Sequence, residues 1–227
     1  LKGTDSNERL GPDRAIQTGL LTEKEIKNAI IFIFILSIIF GFYLALIGGW
    51  PIVVIGLCSI FFGIIYTGGP YPLAYNGLGD IFVFIFFGLV AVSGTYYLHA
   101  QHFSLNSIIV GITSGSISTA ILVVNNLRDI ENDEKYGKNT LAVYLGEKFT
   151  KIEYCLLIMI PYIIPIYISY IFNNKAAIYL VYFTLPIASR LILEIFYKNG
   201  SDLNSTLEKT AKLLFIYTIL LSFGIIV

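Results

Sequence analysis

The chain has 227 residues, 56% of them hydrophobic and only 13% charged, and its 15 basic and 15 acidic side chains cancel. About a quarter of the residues of a soluble domain are charged, so this composition excludes an ordinary water-soluble fold. With no excess of basic charge, no nucleic-acid partner is expected.

Apolar runs near twenty residues recur along the chain, each long enough to cross a hydrocarbon core of about 30 Å. Seven stand out, at 28–47, 51–67, 80–98, 107–124, 152–172, 176–197 and 211–227. They predict an all-α, polytopic transmembrane helical bundle forming a single integral-membrane domain over 1–227. The chain opens at Leu1 with polar residues, without an initiator methionine and without the apolar core of a signal peptide. The natural protein is therefore expected to extend upstream.

The opening segment, Lys2 to Arg14, interleaves acids with arginines, and Gly3, Gly11 and Pro12 keep it from forming a long helix. Taken alone it reads as a solvated charged loop. Thr22 and Glu25 are spaced as a capping box that opens the first span. Cys58 and Cys155 both fall inside apolar runs, which predicts buried free thiols, not a disulfide or a metal pair.

The connection from Tyr66 to Asp80 is dense in Gly, Pro and Tyr. Its prolines fix the backbone and its glycines permit close approach. Tyr66, Asn76 and Asp80 there suit an aromatic substrate pocket, although the tyrosines equally fit an interfacial aromatic belt. His99 and His102 lie three apart with no third ligand nearby, a weak metal signal.

After the apolar run to Val124 comes Asn125-Asn126-Leu127-Arg128-Asp129-Ile130-Glu131-Asn132-Asp133. On a helical continuation Asp129 and Asp133, four apart, face the same way. Two carboxylates beside amides make an oxygen-rich site for a hard cation such as Mg²⁺, which completes its shell with water and phosphate oxygens. Arg128 and Lys138 are placed to hold those phosphates, and Gly137 lets the backbone turn Lys138 back toward the acids. Further on, Pro161 and Pro165 are expected to kink the fifth span and Pro186 the sixth. Arg190 and Glu194 read as a structural i,i+4 ion pair.

The polar connections take sides. Alternating spans put 1–27, 68–79, 125–151 and 198–210 on one face, and 48–49, 99–106 and 173–175 on the other. Of the lysines and arginines only Lys175 falls on the second face, and no acid does. Basic loops stay cytoplasmic, so the candidate site is expected on the cytoplasmic side. A transporter or cation-binding scaffold would place polar clusters near mid-membrane, where this chain carries Ile, Leu, Phe and Val.

Three stretches carry a resemblance: Lys2–Asp5 followed by Glu8–Pro12, the Tyr66–Asp80 loop, and Asn125–Asp133 with Gly137–Leu141. In them the chain resembles the UbiA-type intramembrane prenyltransferases, most of all the branch that acts on 1,4-dihydroxy-2-naphthoate. The resemblance implies nine helices, of which seven are present here, and two aspartate-rich motifs on the cytoplasmic side of a bacterial inner membrane. It implies Mg²⁺ held by Asp5, Asp129 and Asp133, with diphosphate contacts from Asn125, Arg128, Arg9, Arg14 and Lys138. The catalytic set would be Asp129, Asp133 and Lys138, and the aromatic acceptor would meet Tyr66, Asn76 and Asp80. The substrates implied are a polyprenyl diphosphate and the naphthoate, and the lipid bilayer is the surrounding solvent. Other acceptors, such as 4-hydroxybenzoate, homogentisate or a glycerol phosphate ether, are the alternatives within the family. The leading part of the first acid motif would precede Leu1, so the chain as written is expected to be inactive alone. Prenyl chain length depends on the depth of a helix-lined tunnel, which the residue pattern does not encode.

Overall fold

The computed structural model describes residues 10–11, 19–171 and 176–227. Asp5, Arg9, Arg14 and Lys175 lie outside the described residues. Among the described residues seven helices are long and apolar enough to cross a membrane: Glu23–Gly48, Trp50–Thr67, Gly79–Ala100, Leu105–Arg128, Leu141–Ile171, Ala176–Tyr197 and Gly200–Ile226, the first to seventh spans below. The protein is an all-helical integral membrane protein.

The helices obey local chemistry. Thr22 caps the first span as a full capping box, its hydroxyl accepting from the Glu25 N–H and the Glu25 carboxylate accepting from the Thr22 N–H. Pro165 has no N–H to offer the Pro161 carbonyl four residues back. The fifth span accordingly passes through a 3₁₀ turn at Ile160–Tyr162, and the Tyr217 hydroxyl of the seventh span donates to that carbonyl. In a bilayer interior no water would otherwise satisfy it. The sixth span begins as a 3₁₀ helix, Ala176–Thr184, and becomes α-helical at Leu185, with Pro186 in the first turn where a missing N–H costs nothing.

Helix ends run past the apolar stretches. The fourth span continues through Arg128, and the seventh is α-helical from Leu203, not from 211. Backbone hydrogen bonding does not stop where apolar side chains do, so the extra turns are polar. The fifth span starts at Leu141, with Gly146 (φ 79°, ψ 165°) breaking its first turns.

The fourth span is the axis of the bundle: 56% of its apolar window is buried, against none of the first span's. One core cluster joins it to the fifth, sixth and seventh spans through Val124, Leu127, Tyr154, Leu191 and Leu213. Against the third span the packing is backbone on backbone. A Cβ at Gly88 would lie 2.5 Å from the Gly115 Cα and 2.7 Å from the Gly111 carbonyl oxygen. Small residues at a crossing are what bring membrane helices together, because lipid offers no hydrophobic drive between them. The third span carries a π-helical stretch, Phe84–Val90, at this crossing.

Two sequence expectations are refined here. Both cysteines are free, but Cys58 is exposed on the apolar surface and Cys155 only half-buried. The Arg190–Glu194 pair forms at 3.1 Å, yet Glu194 also meets Lys198 at 2.7 Å and Lys209 at 2.6 Å, tying the sixth span to the seventh.

Candidate functional site

The site begins where the fourth span leaves its apolar stretch. Asn126 and Arg128 are buried on its last turn, at 5% exposure each. Asp129 leaves helical geometry (φ −97°, ψ 7°), and a short helix, Ile130–Lys135, restarts beyond it. The chain bends there, but the Asp133 N–H still reaches the Asp129 carbonyl at 2.7 Å. The two acids therefore stay one turn apart despite the break.

Arg128 holds this corner. Its Nε and Nη2 donate to the two carboxylate oxygens of Asp129 at 2.9 and 2.6 Å. Nη2 also donates to Asn125 Oδ1 at 2.9 Å, and Nη1 to Asn204 Oδ1 at 2.8 Å. Asn204, at the start of the seventh span, passes the link on by donating to the Leu10 carbonyl at 2.9 Å. A forked guanidinium paired with one carboxylate fixes orientation as well as charge.

Asp133 is buried at 7% exposure and accepts from Lys138 Nζ at 2.8 Å. Burial pushes its carboxyl above the ordinary range, while the Lys138 hydrogen bond and charge pull it back and the Asp129 charge pushes it up again. Gly137 (φ 69°) makes the turn that brings Lys138 back, as its left-handed backbone requires. The Asn139 N–H then donates to the Tyr75 carbonyl at 3.1 Å, knitting this loop to the one at 66–80. Asn76 serves the same join: its amide donates to the Pro72 carbonyl at 2.7 Å, and its backbone bridges to Asn139.

Between these loops and the helix ends lies a polar cavity of about 200 Å³, walled in part by Tyr66, Asp80, Asn125, Asn126, Lys138 and Thr140. Lys138, paired with Asp133, and Asn125, paired with Arg128, connect that wall to the two acids. A larger apolar cavity of about 650 Å³ lies alongside, walled by Ser59, Phe62, Gly63, Phe82 and Phe86 among others. Tyr66 belongs to both walls. On the second span, Ser59, Phe62, Gly63 and Tyr66 fall at i, i+3, i+4 and i+7, one helical face about 10 Å long.

Among the described residues no group of three or more acids, histidines or cysteines gathers as a metal centre. The donors present are hard oxygens: Asp129, Asp133 and the Asn125 amide. Such a set does not make an all-protein cage, and it fits Mg²⁺ bound jointly with phosphate oxygens. The cations that now pair with both carboxylates show that the corner is built to have its negative charge compensated.

A model of the UbiA prenyltransferase family matches residues 4–222. The chain belongs to that family. Among its relatives, the 1,4-dihydroxy-2-naphthoate octaprenyltransferase of Haemophilus influenzae is 34% identical over 100% of this chain and 76% of its own length. The protein of the same name from Mycobacterium leprae is 31% identical over 96% of this chain and 74% of its own. That of Escherichia coli is 37% identical over 70% of this chain and 54% of its own. The UbiA family generally uses Mg²⁺, a prenyl diphosphate and an aromatic acceptor.

In this UbiA chain the structure brings Asn125, Arg128, Asp129, Asp133, Lys138, Tyr66 and Asp80 to one corner. Asn76 is beside it but faces its own loop. Sequence reasoning missed Asn126 and Thr140 on the cavity wall and Asn204 behind Arg128. Asn126 was legible as the neighbour of Asn125; nothing in the local pattern marks Asn204.

Proposed function

We propose that this chain transfers a polyprenyl group from polyprenyl diphosphate to 1,4-dihydroxy-2-naphthoate, with loss of the ring carboxylate, on the cytoplasmic face of a bacterial inner membrane. The observation that carries the reading is the pair of cavities that share Tyr66 in their walls, a polar one lined by Lys138 and Asp80 among others and an apolar one lined by Phe62, Phe82 and Phe86 among others. A diphosphate head with an isoprenoid tail needs that juxtaposition. The names of the three bacterial relatives support the naphthoate as acceptor.

Each residue has a task in this reading. Arg128 keeps Asp129 oriented, and Asp133 and Asn125 present further oxygens at the same corner. Mg²⁺, held by those oxygens together with the diphosphate, would neutralise the leaving group. Lys138 turns from Asp133 to donate to the diphosphate as charge builds on it. The aromatic walls at Phe62, Phe82 and Phe86 keep water from the allylic cation. Tyr66 and Asp80, with Asn76 fixing their loop, form the acceptor side. Asp5, Arg9 and Arg14 remain the expected contributors from the opening segment.

Prenyl transfer by the protein in membranes tests this, with a long-chain prenyl diphosphate and either the naphthoate or 4-hydroxybenzoate, each with and without Mg²⁺. Mg²⁺-dependent demethylmenaquinol from the naphthoate alone is expected, recovered as demethylmenaquinone after oxidation by air. Product only from the benzoate would move the acceptor and keep the chemistry. Asp133→Asn, nearly isosteric, should lower turnover about a hundredfold or more while the protein stays folded.

A further inference from the structure

Asp80 is the acid of the cavity wall. It is 4% exposed, and both its carboxylate oxygens are buried without a hydrogen-bond partner on any other described residue. Native proteins rarely leave a buried acceptor unmet, and a carboxylate least of all. The nearest cation on the same wall, Lys138, already donates to Asp133. Glu153 of the fifth span, within electrostatic reach of Asp80, is a second carboxyl and not a compensating cation. A diphosphate drawn to Lys138 has only acceptor oxygens to offer and would leave Asp80 unmet. The missing partner is therefore a hydrogen-bond donor carried by the ligand.

On the reading that the acceptor is a dihydroxyarene, we propose that Asp80 selects its oxidation state: the carboxylate accepts a hydrogen bond from a ring hydroxyl and rejects the corresponding quinone. A hydroxyl turns an O–H to either oxygen of Asp80. A quinone carbonyl at the same position sets acceptor against acceptor, leaving both desolvated and unmet. Sites built to bond a hydroxyl discriminate strongly against analogues that lack it, because their own polar groups are then stranded. The cavity thus holds the reduced ring for prenylation, and a ring that has become a quinone no longer fits.

The test needs no turnover. The purified protein in detergent is titrated with 2-methyl-1,4-naphthoquinone or, under reductant, its diol, and binding is read from the rise in unfolding temperature. The unmodified protein should bind the diol about tenfold more tightly than the quinone, the value of one hydrogen bond to a charged group. Asp80→Asn keeps the shape and supplies an N–H, so it should bind both forms within about a factor of two. Equal binding of diol and quinone by the unmodified protein would overturn the proposal without the variant, whatever its folding. So would undiminished discrimination in Asp80→Asn. A raised Mg²⁺ requirement for prenyl transfer in Asp80→Asn, with unchanged binding of the diol, would make Asp80 a metal contact instead. Discrimination without any prenyl transfer would uphold the selection by Asp80 while removing the proposed reaction.

Discussion

Arg128 is held by more partners than its neighbours suggest. Beside two aspartates it reads as a diphosphate contact, yet three of its nitrogens are engaged with Asp129, Asn125 and Asn204. Lysine offers a point charge in place of a fork, so Arg128→Lys should leave Asp129 loosely held. The concentration of Mg²⁺ needed for half-maximal prenyl transfer should rise about tenfold, the weight of one charge-assisted hydrogen bond. Asn204→Ala, which removes only the outer support, should move it less and in the same direction. A higher KM for the prenyl diphosphate with unchanged Mg²⁺ dependence would return Arg128 to the diphosphate. The spacing of Asp129 and Asp133 was legible because one turn of helix is a local rule. Asn204, 76 positions away from Arg128, was not, because only the packing of the fourth span on the seventh brings it near. Asp80 was visible as an acid opening an apolar run; that it is buried without a partner is a property of the assembled wall.

At the scale of elements, prolines and caps were legible and helix crossings were not. The 3₁₀ turn at Pro161, the start of an α-helix at Pro186 and the box at Thr22 follow from backbone chemistry that any sequence carries. Nothing in the sequence says that Gly88 meets Gly115 while Gly41 meets none of the described residues, since each is a glycine within an apolar run. The two make a matched test. Gly88→Leu forces a side chain into the Gly111 and Gly115 backbone and should cost about 1–3 kcal/mol or more, read as a lower unfolding temperature in detergent. Gly41→Leu enters a position with no neighbour within 4 Å among the described residues and gains helix propensity, so its unfolding temperature should hold or rise slightly. Equal sensitivity at both positions would mean that the third and fourth spans do not cross at Gly88. The crossing matters for function because Asp80 and Asn125 sit at the ends of these two spans and share one cavity wall.

For the whole molecule, neutrality conceals a strong division. The ion pairs of Lys138 with Asp133 and of Lys198 and Lys209 with Glu194 lie where the chain leaves the fourth and sixth spans. The turn joining the third span to the fourth, 101–104, instead carries no lysine, arginine or acid; there His102 meets Tyr96 at 3.2 Å and the Ala100 carbonyl at 2.9 Å. Seven spans in alternation place these two sets on opposite sides of a bilayer. The excess of lysine and arginine on the first side is the ground on which we propose that it faces the cytoplasm. With Cys58 and Cys155 replaced by alanine, a cysteine at exposed Gln101 should react with a membrane-impermeant thiol reagent in intact cells. A cysteine at exposed Ser201 should react only after the membrane is opened. The reverse pattern would put the Asp129 corner outside the cell, away from any cytoplasmic supply of prenyl diphosphate. Reaction of both in intact cells would break the alternation itself, and with it the placing of Asn204 on the same side as Arg128.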